Sequence, residues 1–341
     1  MPYHVYVSNS GSTFLSHFLM DESTGALTAK ADIDMGGGPG ALATDSKQRW
    51  LFACMRSQQA FVTYAIDRNT GGLARISGVS GGSAPYLYVD DSDSYLLATY
   101  YGDGAASVHG IDGDGNLSAE PLQWVETAGH AHSVQTDRSN RFAFVPHTMP
   151  ANAIYQFRFD AGSGQLTAND PAFIQPETPE GPRHFVFHPT KDLLYSVNED
   201  GCTVSAHHFD PDQGTLTSFQ VISTLPTGTD MEGMSTAEIK MTHDGAHLYA
   251  SNRGHNTLAH FRVIEDGTLE LVDRYETEAV PRFFDIDPTG RYLYSAGQNT
   301  GRLVSYRIGD AGVLEPMATY DVGDGPLWIQ FVQQAQRLEE L

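Results

Sequence analysis

The stretch EIKMTHDGAHLYASNR (238–253) shows the unit from which the chain is built. Apolar and polar residues first alternate, as in a half-buried strand. A polar turn follows, and then an apolar run that ends in small polar residues. The same unit recurs in GPRHFVFHPTKDLLYSVNED (181–200) and VPRFFDIDPTGRYLYSAGQN (280–299). Aligned on the turn, seven copies fall at Asp45, Asp91, Asp137, His188, Thr242, Asp287 and Val332, the last lacking its second strand. The spacings are 46, 46, 51, 54, 45 and 45 residues. A strand-rich repeat with a period in the mid-forties is the mark of a propeller blade.

Each blade is expected to be a four-stranded antiparallel sheet, strands A to D from the axis outward. HFVFH (184–188) and FFDID (283–287) fit strand A; LLYSVN (193–198) and HLYASN (247–252) fit strand B; TLAHFRV (257–263) fits strand C. Asp/Gly turns such as DAGSGQLT (160–167) lead on to D. The chain ends are complementary. Residues 1–35 supply strands B, C and D, while 325–332 supplies an A with nothing after it. The sequence therefore predicts an all-β, seven-bladed β-propeller as one domain over 1–341. Its closing blade combines one C-terminal strand with three N-terminal strands, which removes open sheet edges. The tail 333–341 reads as a short helix or a frayed end.

Antiparallel A and B strands place the start of every A and the end of every B on one rim. The first position of A reads Gly40, Tyr86, His132, Arg183, Ala237, Arg282 and Leu327. The next reads Ala41, Leu87, Ser133, His184, Glu238, Phe283 and Trp328. The end of B reads Arg56, Gly102, Thr148, Glu199, Arg253, Gln298 and Ser10. One channel mouth is thus expected to collect Arg56, Arg183, Arg253, Arg282, His132, Glu199 and Glu238, with His130, His147, His184, His255 and Gln298 beside it. Trp328 either floors this mouth or packs between blades. The opposite rim carries Asp/Pro/Thr/Gly turns. The long connection 223–238 enters on the mouth side, as a cap or as a plain surface loop.

Composition sharpens this picture. With 40% apolar and 11% aromatic residues the chain has material for a large core. A net charge of −22 opposes binding to nucleic acid or anionic lipid. No apolar run is long enough to span a membrane, and MPYHVYVSNSG lacks the pattern of a secretory signal. The cytoplasm is the expected compartment, and Cys54 and Cys202, in different repeats, are expected to be buried free thiols. On so acidic a protein, four arginines at one mouth are a local exception. Guanidinium forks bind carboxylate or phosphate bidentately, so a small anionic ligand is expected. Two carboxylates cannot saturate four guanidinium groups. His130 and His132 form a His-x-His pair, but no third ligand completes a zinc site, so neither metal nor cofactor is expected.

GPRHFVFHP (181–189), YSVNE (195–199), AEIKMTHDGAHLYASNRGHNTLAHFRV (237–263) and GPLWIQF (325–331) together resemble the seven-bladed-propeller lactonase family. Its bacterial branch is known as 6-phosphogluconolactonase, and its fungal branch contains the 3-carboxy-cis,cis-muconate lactonizing enzyme. The resemblance implies a catalytic set of His132 in HAHSV, Arg183 in GPRHF, Glu199 in VNE and Arg253 in SNRGH. Arg56 and Arg282 would then hold a phosphate or carboxylate. Where many members carry an acidic pair around a glycine, this sequence reads VPHTMPAN (145–152), with His147 and no carboxylate. The expected activity is hydrolysis of an anionic sugar-acid lactone such as 6-phosphogluconolactone. The alternatives are a cycloisomerase acting on a muconate-like diacid and a non-catalytic binding ring.

Overall fold

The computed structural model describes residues 2–335. They form seven antiparallel sheets, and a typical one runs Pro182–Phe187, Leu193–Asn198, Thr203–Asp210, Thr215–Ser223 from the axis outward. In the closing blade Pro326–Gln333 pairs with Tyr3–Asn9, which pairs with Phe14–Met20 and then Leu27–Ala29. The seven-bladed propeller and its shared closing blade are therefore as the sequence predicts. Gln333 ends a strand, and the residues 336–341 of the expected tail helix lie outside the described residues. No helix among the described residues is long and apolar enough to cross a membrane.

The repeated turn residue has a structural reason. Asp137 Oδ1 accepts the backbone N–H groups of Arg141 and Phe142 at 2.9 and 2.8 Å, closing the A–B turn. Asp45 and Asp287 do the same for Arg49/Trp50 and Arg291/Tyr292. Such turns leave several N–H groups without a ladder partner, and a carboxylate satisfies them. In the second complete blade the residue in this role is Asp90, which takes Ser94 N and Tyr95 N at 3.0 and 2.8 Å. The expected Asp91 is one residue too far along. This one-residue shift moves Tyr86 into the second column and brings Tyr101, in place of Gly102, to the end of strand B.

Blades are latched to their neighbours by buried tyrosines on strand B. Tyr6, Tyr195, Tyr249 and Tyr294 donate to the carbonyls of Gly71, Gly267, Gly312 and Gly25, at 2.9, 2.8, 2.6 and 2.7 Å. Each acceptor glycine has positive φ and ends a C–D hairpin turn. A Cβ at Gly312 would meet the His247 ring at 2.5 Å, so the close approach needs glycine. Cys54 and Cys202 are buried and free.

Candidate active site

Strand A does not enter the channel mouth as a regular ladder. Pro182 pairs with Asn198 and His184 with Val197, leaving Arg183 as an extra residue in a β-bulge. Arg282 occupies the same kind of bulge, between the Pro281–Gly297 and Phe283–Ala296 pairs. Leu327 is skipped likewise between Pro326–Asn9 and Trp328–Ser8. A bulge bends its strand and re-aims a side chain. Consecutive residues that strict alternation would send to opposite faces therefore both reach the mouth: Arg183 with His184, Arg282 with Phe283, Leu327 with Trp328.

These pairs line a cavity of about 250 Å³ together with Arg56, Ser83, Ala84, Pro85, Tyr101, His132 and Glu199. Its size suits a small molecule, not a polymer. Trp328 both lines the cavity and packs, stacking on Phe283 with centroids 4.3 Å apart and meeting the edge of Tyr86 at 5.2 Å.

Glu199 is held by two arginines. Its Oε1 lies 2.9 Å from Arg253 Nη2, and its Oε2 lies 2.7 Å from Arg183 Nε. The second contact is an ion pair whose angle falls outside hydrogen-bond geometry, so neither atom has an aligned partner. Burial pushes the Glu199 carboxyl up, but the charges of Arg183, Arg253 and Arg282 outweigh it and hold it below its ordinary value. Glu199 is therefore a fixed anion at neutral pH. Arg253 also donates to Thr236 O at 2.7 Å, and it pairs with Glu199 without lining the cavity itself.

Arg183 is fully buried. Besides Glu199, its Nη1 donates to Ala237 O and lies 3.3 Å from His184 Nε2, while Nη2 has no partner among the described residues. Burial lowers its pKa to about 9, with Glu199 opposing and Arg282 and Arg253 adding to the shift. Arg282 has no hydrogen bond or ion pair among the described residues. Burial, then Arg253, push its pKa down to about 10, against the pull of Glu199. Among the described residues Arg56 makes one side-chain hydrogen bond, from its Nε to Ser83 Oγ at 3.3 Å, and no ion pair.

On the other side of the mouth, His132 Nδ1 lies 3.1 Å from His184 Nε2, and His184 Nδ1 lies 3.0 Å from Glu238 Oε2. All three residues are buried. Burial first, then the neighbouring Arg183, hold His132 well below its ordinary pKa, so it is neutral at pH 7. Burial likewise takes His184 to about 4, although Glu238 pulls the other way.

The remaining expected residues divide. His147 turns inward, with Nδ1 2.9 Å from Val145 O and Nε2 2.8 Å from Thr127 Oγ1, and is a packing residue. His130 has a φ of 69°, so it does not share a strand face with His132 as the His-x-His pattern predicts. It stacks on Tyr101 at 4.2 Å instead. His255 bonds Thr257, and neither it nor Gln298 lines the cavity. Glu238 reaches His184 and not the cavity. No residue of the loop before Ser235 lines the cavity either. Two tyrosines were missed. Tyr86 and Tyr101 flank His184 and His132, at 5.1 and 5.7 Å between ring centroids. The Asp-to-aromatic spacing of five residues, seen in Asp45/Trp50, Asp137/Phe142 and Asp287/Tyr292, selects Asp90 by way of Tyr95 and would have found both.

Comparisons with known proteins agree with this architecture. A 6-phosphogluconolactonase of Xenorhabdus nematophila is 34% identical over 307 residues, covering 89% of this chain and 92% of that one. One from Pectobacterium carotovorum is 32% identical over 329 residues, covering 95% and 97%. The fold superposes on a periplasmic gluconolactonase of Pseudomonas aeruginosa with a TM-score of 0.89 at 24% identity, covering 98% of this chain and all of the other. The sequence profile described as "Lactonase, 7-bladed beta-propeller" matches residues 4–331, and the chain belongs to that family.

Proposed function

We propose that the protein hydrolyses the lactone of an anionic sugar acid, with 6-phosphogluconolactone as the first substrate to test. The observation that carries this reading is Arg282, a partly buried guanidinium lining the cavity with no ion-pair partner among the described residues. Glu199 offsets one of the Arg183/Arg253 charges, and Arg56 adds another cation without a carboxylate. The mouth thus holds an excess of positive charge on a protein of net charge −22. A phosphate or carboxylate ligand neutralises it through charge-assisted bonds. Relatives named 6-phosphogluconolactonase, at 32–34% identity over most of the chain, support the same reading. The two free cysteines suit a reducing compartment, and the proposed place of work is the cytoplasm.

The roles proposed here rest on the following contacts. Glu199, pinned as an anion between two arginines, is a poor base and cannot serve as the acid. His132 is neutral, and its Nε2 has no partner among the described residues. It takes a proton from water as the water oxygen adds to the lactone carbonyl. Arg183 stabilises the oxygen that gains charge. The tetrahedral intermediate then collapses, the ring C–O bond breaks, and the imidazolium of His132 returns its proton to the departing alkoxide. Arg56 and Arg282 hold the remote anion.

The test is base uptake by purified protein on 6-phosphogluconolactone and on unphosphorylated gluconolactone, beside ultraviolet loss of a carboxymuconate diene. Preference for the phosphorylated lactone is expected. Turnover of the diene alone would replace this reading with the cycloisomerase one, and no turnover of any would leave a binding ring.

A further inference from the structure

We propose that Glu238 and His184 are positioning residues that fix the tautomer of His132, holding its proton on Nδ1 and leaving Nε2 bare toward the cavity. The inference rests on His132 being the base. It concerns two residues that touch no cavity-bound anion in the scheme above.

Two contacts constrain the protons independently. Arg183 Nη1 lies 3.3 Å from His184 Nε2. A guanidinium can only donate, so this nitrogen presents its lone pair. The proton of neutral His184 then sits on Nδ1, where Glu238 Oε2 accepts it at 3.0 Å. The carboxylate alone leads to the same assignment, since a bare Nδ1 facing it would set two lone pairs against each other. His132 Nδ1, 3.1 Å from the lone pair of His184, must in turn carry its own proton. The opposite tautomer of His132 would require reversing every bond in the chain.

Glu238 is itself fixed. Its Oε1 accepts Ile239 N at 3.0 Å, and its backbone N–H donates to Ser251 Oγ at 3.0 Å. The other polar groups facing the two rings are Tyr86 beside His184, Tyr101 beside His132, and the cations Arg183, Arg282, Arg253 and Lys240. All four cations disfavour an imidazolium, and among the described residues Glu238 is the one buried anion bonded to the pair. When His132 takes the proton of water, the new charge is stabilised through His184 by that carboxylate. No proton has to pass from His132 to His184.

The experiment has two arms. Long-range ¹H–¹⁵N correlation of the histidine rings in the unliganded protein, assigned against His132→Gln, is expected to show His132 protonated at Nδ1 only and His184 likewise. A His132 protonated at Nε2 overturns the proposal whether or not any lactone is a substrate. In the kinetic arm, Glu238→Gln is expected to lower kcat ~10- to 100-fold, with KM within about twofold, as for partners that orient a reacting histidine. The acid limb of kcat/KM moves to lower pH, because loss of the anion lowers the His132 pKa further. Glu238→Asp restores part of kcat. Unchanged kcat with an unmoved acid limb in Glu238→Gln overturns the proposal. If the variant does not fold, the ring correlation of the wild-type protein still decides. If no lactone is turned over, the proposed hydrolysis fails while the tautomer remains measurable.

Discussion

Arg183 and His184 are adjacent in the chain, yet both side chains line the same cavity, because Arg183 sits in a β-bulge that His184 follows. Regular alternation would have given the mouth either the guanidinium or the imidazole. The bulge gives it both, and brings them within 3.3 Å of each other. The repetition of this bulge at Arg282 and Leu327 makes the mouth a double row of side chains drawn from single strands.

Removing the proposed base, His132, is the most direct test of the chemistry. His132→Ala is expected to lower kcat on 6-phosphogluconolactone by ~100-fold or more while leaving KM little changed. Steady-state kinetics by base uptake checks it, and full activity would remove His132 from the mechanism.

The proposed electrostatic role of Arg183 comes beside a structural one, its ion pair with Glu199. Arg183→Ala is expected to lower kcat by ~100-fold. It also breaks a buried pair and leaves Glu199 to Arg253 alone, at a cost of about 3 kcal/mol in stability. Denaturant midpoints measured beside the kinetics separate the two effects.

The proposed reading gives anion selectivity to Arg282. Arg282→Ala should raise KM for the phosphorylated lactone ~10-fold or more and barely alter that for gluconolactone, since only the former presents the dianion. An equal loss on both substrates would assign Arg282 to the reacting carbonyl alone.

Gly40 holds the stem of Arg56. A Cβ there would stand 2.9 Å from both Arg56 Cγ and Cδ, whereas one at Gly102 meets nothing within 4 Å. Gly40→Ala should displace Arg56 and raise KM roughly threefold or more, and Gly102→Ala should not. Equal kinetics for the two variants would count against Arg56 as an anion ligand.

Acid should weaken the fold through its buried histidines. Burial lowers His207 to about 3, and burial helped by the partner rings His4 and His247 lowers His17 and His260 to about 4. Unfolded, each titrates near 6.5. The unfolded chain therefore binds more protons in the intervening range. The stability these groups confer is complete above about pH 6.5 and is lost as pH falls through the folded values. Urea midpoints at pH 7.5 and 4.5 should differ accordingly, and by less in His17→Gln.

The period of the strands, the four-strand blade, the closing blade and the arginine-rich rim were all legible in the chain. Each is written locally, in alternation, turn residues and repeat spacing, and antiparallel pairing alone decides which strand ends share a rim. A doubled aspartate hid one register: Asp90 and Asp91 both suit a turn, and choosing the second placed Tyr86 and Tyr101 one residue from their true positions. Tertiary structure decided what a strand pattern cannot carry. Bulges set two consecutive side chains toward one cavity. Partner choice across blades left Arg282 without an ion-pair partner among the described residues, committed Arg253 to Glu199, turned His147 into the packing and linked Glu238 through His184 to His132. The Arg253–Glu199, His184–Glu238 and His132–His184 contacts join residues about fifty positions apart. They depend on side-chain distances between neighbouring blades, which exist only once the ring has closed.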